Sequence, residues 1–226
     1  MTARGLVIAK APVAGEAKTR LGAVIGMEAA ADLAAAALLD TLAACAQAFP
    51  GACHLALTGD LVDASRGAEI RDALSGWTVF DQVGTTFAER LAHAHGVLAS
   101  AGTGPVVQIG MDTPQVTPAM LRASTEALDL GSDAVLGPAA DGGWWVLALS
   151  DSSRARVLAG VPMSSPDTYA ATVQALTASG LAVASVGTLR DVDTVADAAL
   201  VAADAPDSRF ALAWELHVAT EEEVAS

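Results

Sequence analysis

The sequence predicts an α/β protein: a three-layer α/β/α sandwich around a mostly parallel, mixed central sheet. Three observations predict it. Short apolar runs such as Leu6–Ala9 and Val106–Ile109 have the length of buried strands. Longer segments with apolar residues at helical spacing alternate with them. Finally, 53% hydrophobic and 17% charged residues in a chain of 226 are enough for a buried core with a cleft.

Leu6–Ala9 reads as the first strand, ending in a loop that contains Pro and Gly and should lead into a helix. Met27 to about Ala48 is Ala- and Leu-rich and free of Gly and Pro, so it favours helix until Pro50 and Gly51 stop it. His54–Thr58 and Trp77–Phe80 read as the next two strands. Thr86–Ser100 places Phe87, Leu91, Ala94 and Leu98 on one helical face, and Gly102–Pro105 ends it. Val106–Ile109 is a central strand. Thr117 caps a helix with Pro118 at its first position, running to about Leu130. Asp133–Gly137 and Trp144–Leu149 are strands joined by the turn Pro138–Gly143. Pro166–Ser179 is helical, Ala182–Val186 a strand, Thr194–Ala203 a helix capped by Thr194, and about Ser208–Thr220 a last helix before an acidic tail. With no repeat and no long linker, residues 1–226 are expected to form one domain.

Twelve basic against twenty-six acidic residues give a formal charge of −14, which argues against nucleic-acid or anionic-membrane partners. Cys45 and Cys53 form no C-x-x-C and no disulfide framework, which suits a reducing, cytoplasmic setting. The apolar run before Lys10 is short for a signal peptide. The uncharged stretch Leu91–Met111 is broken by two histidines, Gly102, Gly104 and Pro105, so no membrane span is read. Low charge density and many alanines are compatible with a homo-oligomer.

In such sheets ligands bind beyond the carboxyl ends of the strands. The loop Lys10–Leu21, KAPVAGEAKTRL, follows the first strand and holds both lysines of the chain, Lys10 and Lys18, with Arg20, Pro12 and Gly15. Cations and backbone N–H groups before a helix suit a phosphate or diphosphate; the plain alternative is a solvated basic turn. The loop is neither a Walker A motif nor a G-x-G-x-x-G motif. In Gly110-Met111-Asp112-Thr113-Pro114, Asp112 should stand at the sheet's carboxyl edge, where a carboxylate suits Mg²⁺ or Mn²⁺; an Asx-turn is the alternative. Leu189-Arg190-Asp191-Val192-Asp193-Thr194 offers two carboxylates, one of which could complete that metal site; helix capping would also explain them. Asp141-Gly142-Gly143 is a turn that a ligand could approach closely. Trp144 and Trp145 should face opposite sides of their strand. His93 and His95, two apart on a helix, face different ways and make a poor shared metal site. His54 and His217 have no recognisable partner, and G-x-S-x-G and H-E-x-x-H are absent.

The ordered set KAPVAGEAKTRL, GTTFAERL, QIGMDTP, PAADGGWWVLAL and LRDVDTVADAAL resembles a bacterial family of GT-A-type glycosyltransferase-like proteins, some named for arsenosugar biosynthesis. The likeness spans about Leu6–Leu200. More distantly the chain is similar to nucleotidyltransferases such as the 2-phospho-lactate guanylyltransferases and the molybdenum-cofactor enzymes. The resemblance implies a nucleotide-diphospho-sugar transferase fold. Lys10, Pro12, Gly15, Lys18 and Arg20 would serve the nucleotide phosphates together with Arg90, and Asp112 and Asp193 would hold Mg²⁺ or Mn²⁺. Glu89 and Arg90 match a family motif whose role is not read from the sequence. Met111 and the Trp144-Trp145 pair depart from the family pattern, and Asp112 is not part of a D-x-D. The expected activity is glycosyl transfer from a nucleotide-diphospho-sugar to a small-molecule acceptor, with Asp141 as a base or orienting group on the acceptor side. Nucleotidyl transfer from a nucleoside triphosphate is the first alternative, and a non-catalytic nucleotide-binding protein the second.

Overall fold

The computed structural model describes residues 2–224. Along the chain the elements are β1 (Arg4–Lys10), α1 (Thr19–Ile25), α2 (Met27–Ala48), β2 (Cys53–Thr58), α3 (Gly67–Ala73), β3 (Thr78–Asp81), α4 (Phe87–Ala101), β4 (Val106–Ile109), α5 (Pro118–Asp129), β5 (Ala134–Pro138) and β6 (Trp144–Leu149). A 3₁₀ segment (Ser152–Gly160), α6 (Thr168–Ala178), β7 (Val183–Ser185), α7 (Val195–Asp204) and α8 (Arg209–Val224) complete it. The expected strands are present to within two residues at each end. Two elements were not anticipated: α3 and the 3₁₀ segment. The helix expected from Pro166 begins at Thr168, and Glu221–Glu223, expected as a tail, lie within α8.

The seven strands form one sheet in the order β3-β2-β1-β4-β6-β5-β7. Every neighbouring pair is parallel except those made by β6, which runs antiparallel to β4 and β5. The carboxyl ends of the six parallel strands and the amino end of β6 therefore lie along one edge. One face of the sheet buries Val7, Leu55, Val107 and Trp145 against Leu38 and Leu42 of α2, Ile70 of α3 and Leu121 of α5. The other face buries Leu6, Ala56 and Leu147 against Leu91, Ala94 and Leu98 of α4, Leu158 of the 3₁₀ segment and Leu176 of α6.

A third cluster lies outside the sheet. Leu33, Ala36 and Ala37 of α2 pack with Leu21, Val192, Val201 and Phe210, which come from α1, the loop after β7, α7 and α8. Helix α2 is thus covered on both sides, by the sheet and by α7 and α8. That burial explains why it is apolar nearly all round. It is long and apolar enough to cross a membrane, but 72% of the window that meets this test is buried inside the fold.

Candidate active site

Helix α1 starts at Thr19, and Lys18 before it takes a left-handed backbone conformation, φ 48°. That turn sends its side chain inward. The ammonium lies 2.8 Å from Asp112 Oδ1 and 3.0 Å from Asp193 Oδ1, and the side chain is only 11% exposed. Burial alone would lower the Lys18 pKa, but the charges and hydrogen bonds of Asp112 and Asp193 outweigh it and hold the ammonium above its ordinary value. Arg20 reaches Asp193 Oδ2 at 3.7 Å from an exposed position. Lys10 bonds Glu16, through its carbonyl at 3.0 Å and its carboxylate at 3.4 Å.

Residues far apart in sequence meet here because the backbone is tied across the sheet edge. Ala140 N–H donates to Leu189 O and Leu189 N–H to Pro138 O, which draws the segment after β7 onto the β5–β6 turn. Val192 N–H then donates to Asp112 O at 3.0 Å, and Gln115 Nε2 to Arg190 O at 2.7 Å. Arg190 is occupied with Asp197, 2.9 Å away, and Thr194 caps α7. Of the two carboxylates in this segment, Asp193 is the one paired with Lys18. Asp191 lies deeper, and its Oδ1 is buried without a partner. Burial, with the charges of Asp112 and Asp141, raises the Asp191 pKa to about 7. Sequence reasoning gave it no role of its own; only its depth beside three other acids distinguishes it.

The donor set suits a cation. Lys18 Nζ already occupies a position between Asp112 and Asp193, and the buried Asp191 Oδ1 is a further oxygen acceptor left without a partner. Hard carboxylate oxygens are what Mg²⁺ and Mn²⁺ take. Among the described residues no three His, Cys, Asp or Glu side chains are grouped to hold a metal. A divalent ion on Asp112 and Asp193 would therefore draw its other oxygens from ligand and water.

Two adjoining clefts open at this edge. One, of about 420 Å³, is bordered by Ile8, Gln82, Phe87, Arg90, Gln108, Trp144 and Asp191. The other, of about 600 Å³, is bordered by Glu16, Lys18, Arg20 and Pro166. Lys10, Met111, Asp112, Asp141, Ser164, Ser165 and Asp193 border both. Asp141 is exposed, and its Oδ1 accepts from Gly143 N–H at 2.8 Å. Arg90 stacks 5.8 Å above Phe87, with a buried Nε that has no partner. Glu89, whose role the sequence left open, caps α4: it accepts from Thr85 and Thr86 N–H while Thr86 Oγ1 accepts from Glu89 N–H.

Pro12 and Gly15 border neither cleft. Pro12 is buried with its carbonyl accepting from Ser65 N–H, and Gly15, at φ 79°, forms the exposed bend of the loop. The N–H groups of Val13, Glu16 and Ala17 bond within the loop. Its side chains, more than its backbone, therefore face the clefts. The tryptophans divide as expected. Trp145 packs on the α2 side and donates to Gly187 O at 2.8 Å; Trp144 packs on the α4 side and donates to Thr172 Oγ1 at 3.2 Å. His93 is exposed whereas His95 is buried, so they share no site.

A family model described as uncharacterized protein conserved in bacteria, DUF2064, matches residues 41–165, a stretch that includes Arg90, Asp112 and Asp141. No curated protein matches the chain. Among solved structures, a Desulfovibrio desulfuricans G20 protein provisionally named a nucleotide-diphospho-sugar transferase is 27% identical, with a TM-score of 0.84 over 97% of this chain and 96% of that one. The manganese complex of Rv0371C from Mycobacterium tuberculosis H37Rv is 25% identical, with a TM-score of 0.52 over 89% and 98%. A cytidylyltransferase from Leptospira borgpetersenii is 13% identical, with a TM-score of 0.59 over 98% and 96%, and shows the fold alone. The fold is that of nucleotide-diphospho-sugar transferases and nucleotidyltransferases.

Proposed function

The chain belongs to the bacterial family DUF2064, and we propose that it is a transferase that takes a nucleotide-diphospho-sugar and passes the sugar to a small-molecule acceptor, assisted by Mg²⁺ or Mn²⁺. One observation carries this reading: Lys18 sits between Asp112 and Asp193 at the sheet edge, with Lys10 and Arg20 beside it. That arrangement can meet a diphosphate and a divalent cation together, next to a cleft able to take the rest of the ligand. The similarity to the Desulfovibrio protein and to a manganese-bound relative supports the same reading.

Asp112 and Asp193 would hold the metal, which when bound supplies Lewis-acid stabilisation of charge on phosphate oxygens. Lys10, Lys18 and Arg20 bind the diphosphate and take up the charge that grows as it leaves. The acceptor hydroxyl oxygen forms a bond to the anomeric carbon while the bond from that carbon to phosphate oxygen breaks, and its electron pair leaves with the nucleoside diphosphate. Asp141 is assigned to receive or orient the acceptor proton. It stands where the clefts meet, and only Oδ1 is held by Gly143 N–H. Pro12 and Gly15 serve by shaping the loop rather than by touching phosphate.

The test is a panel of nucleotide-sugars and nucleoside triphosphates with Mg²⁺ or Mn²⁺ and candidate acceptors. Acceptor-dependent release of nucleoside diphosphate is the expected outcome. Pyrophosphate release would replace this reading with nucleotidyl transfer, the reaction class of the Leptospira neighbour's name. Saturable nucleotide binding with no turnover would make the chain a binding protein. Asp112→Asn should lower turnover by about 10²-fold or more, with loss of metal dependence.

A further inference from the structure

Strand β4 contains one polar residue, Gln108, which is 2% exposed, among fully buried Val106, Val107 and Ile109. Its Oε1 lies 2.9 Å from Nε2 of His95, a ring with no exposure at all. The direction of this bond follows from the other ring nitrogen. His95 Nδ1 is buried and has no partner. A proton there would leave a buried N–H unpaired, which is rarer in folded proteins than an under-used acceptor. His95 Nε2–H therefore donates, and Gln108 Oε1 accepts. Burial keeps the ring neutral, with its pKa pushed down to about 4, so it carries a single proton.

With Oε1 committed, the Gln108 amide NH₂ is turned away from His95. It makes no hydrogen bond among the described residues, yet Gln108 borders the cleft that also contains Ile8, Gly110 and Trp144. Gly110, just past the end of β4, borders the same cleft, and a Cβ at that position would meet nothing within 4 Å. The missing side chain leaves that part of the cleft open. The Trp144 indole borders the same cleft and is fixed there through its bond to Thr172 Oγ1. An aromatic surface and a pre-aimed amide donor in one cleft suit a ring with apolar C–H faces and hydroxyl edges.

We propose that Gln108 and Trp144 form the subsite for a polyhydroxylated ring, with a ring hydroxyl oxygen accepting from Gln108 Nε2–H and His95 acting as the positioning residue that fixes the amide. That the ring is the sugar of a nucleotide-diphospho-sugar rests on the function proposed above. The orientation of the amide does not.

Two measurements test it. Imidazole ¹⁵N NMR, with His95→Gln identifying the signal, should show His95 protonated at Nε2 and bare at Nδ1 near neutral pH. The reverse tautomer would turn the amide's carbonyl to the cleft and overturn the proposal. Calorimetry then compares UDP, GDP, ADP, CDP and TDP with their glucose conjugates. Gln108→Leu and Gln108→Glu should bind the diphosphate within about twofold of wild type and the conjugate about tenfold more weakly, the size of one hydrogen bond to a neutral partner. His95→Leu should show the same selective loss, and His95→Gln, which can donate the same bond, should restore most of it. Wild-type diphosphate binding with unchanged conjugate affinity in the Gln108 variants would overturn the subsite alone. No diphosphate binding in the wild type would overturn the functional reading, and the identity of the ring with it.

Discussion

Lys18 shows how much a single side chain settles at the residue scale. Its ammonium neutralises Asp112 and Asp193, which would otherwise repel each other and Asp191. Lys18→Met should therefore cost about 2 kcal/mol, less than the ~3–5 kcal/mol for breaking a fully buried pair, because both carboxylates are about two-fifths exposed. Saturating Mn²⁺ should recover most of the loss in thermal denaturation; equal metal stabilisation of variant and wild type would count against Asp112 and Asp193 as ligands. His95 gives a pH dependence whose sign is fixed. Its folded pKa of about 4 lies below the ordinary 6.5 because burial disfavours the imidazolium. Its contribution is complete above pH 6.5 and is lost as pH falls toward 4, where the unfolded chain binds the extra proton. The full span is worth on the order of 3 kcal/mol. Urea unfolding from pH 7 to 4.5 should show a steeper decline in wild type than in His95→Gln. Lys18 and Asp112 were legible in the sequence because each lies in a loop just beyond a strand of the parallel sheet. Spacing alone left Asp191 and Asp193 level, with Asp193 marked out by the family resemblance, and the pairing of His95 with Gln108 was not legible. The difference between the two aspartates and that pairing both depend on depth and on which elements pack together, which local spacing does not encode.

Elements explain the rest of that difference. Helix α5 was readable because Thr117 and Pro118 mark its start and Leu121, Ser124 and Leu128 its buried side. Helix α3 was not, since its seven residues begin with Gly67 and follow a polar stretch with no helical period. It is held by tertiary bonds: Arg71 donates to Leu61 O at 2.8 Å, and the preceding Arg66 makes a two-pronged pair with Asp32 of α2 at 2.7 and 2.6 Å. The 3₁₀ segment is likewise set by packing of Ala155 and Leu158 against α4 rather than by a pattern of its own. Helix α4 gives the prediction at this scale. Its capping box, Thr86 with Glu89, fixes the first turn, from which Phe87 and Arg90 reach the cleft. Thr86→Ala should cost about 1 kcal/mol and lower Tm by about 2–4 °C. Because the frayed turn carries Arg90, ligand affinity should fall as well. Loss of stability with ligand binding unchanged would show that Arg90 acts independently of the cap.

For the whole molecule, the formal charge of −14 and the site have opposite electrostatic needs. An anionic protein repels a nucleoside diphosphate at long range, and the three loop cations are already partly engaged: Lys18 by Asp112 and Asp193, Lys10 by Glu16, Arg20 by Asp193. A divalent ion changes the balance. On Asp112 and Asp193 it would compete with the Lys18 ammonium for the same oxygens and leave that ammonium free for phosphate. Nucleotide and metal should then bind as a cooperative pair, each weak alone. A ligand at 100 times its dissociation constant stabilises the fold by about 2.7 kcal/mol, which for a chain of this size raises Tm by roughly 5–10 °C. Differential scanning fluorimetry should therefore show that rise with nucleoside diphosphate plus Mn²⁺, and little of it with either alone or with EDTA. Raising NaCl from 50 to 300 mM should improve the metal-free binding slightly by screening the net repulsion, but leave the metal-dependent binding dominant. A full shift with nucleotide in EDTA would mean that the three cations suffice and that the carboxylates serve only to place Lys18.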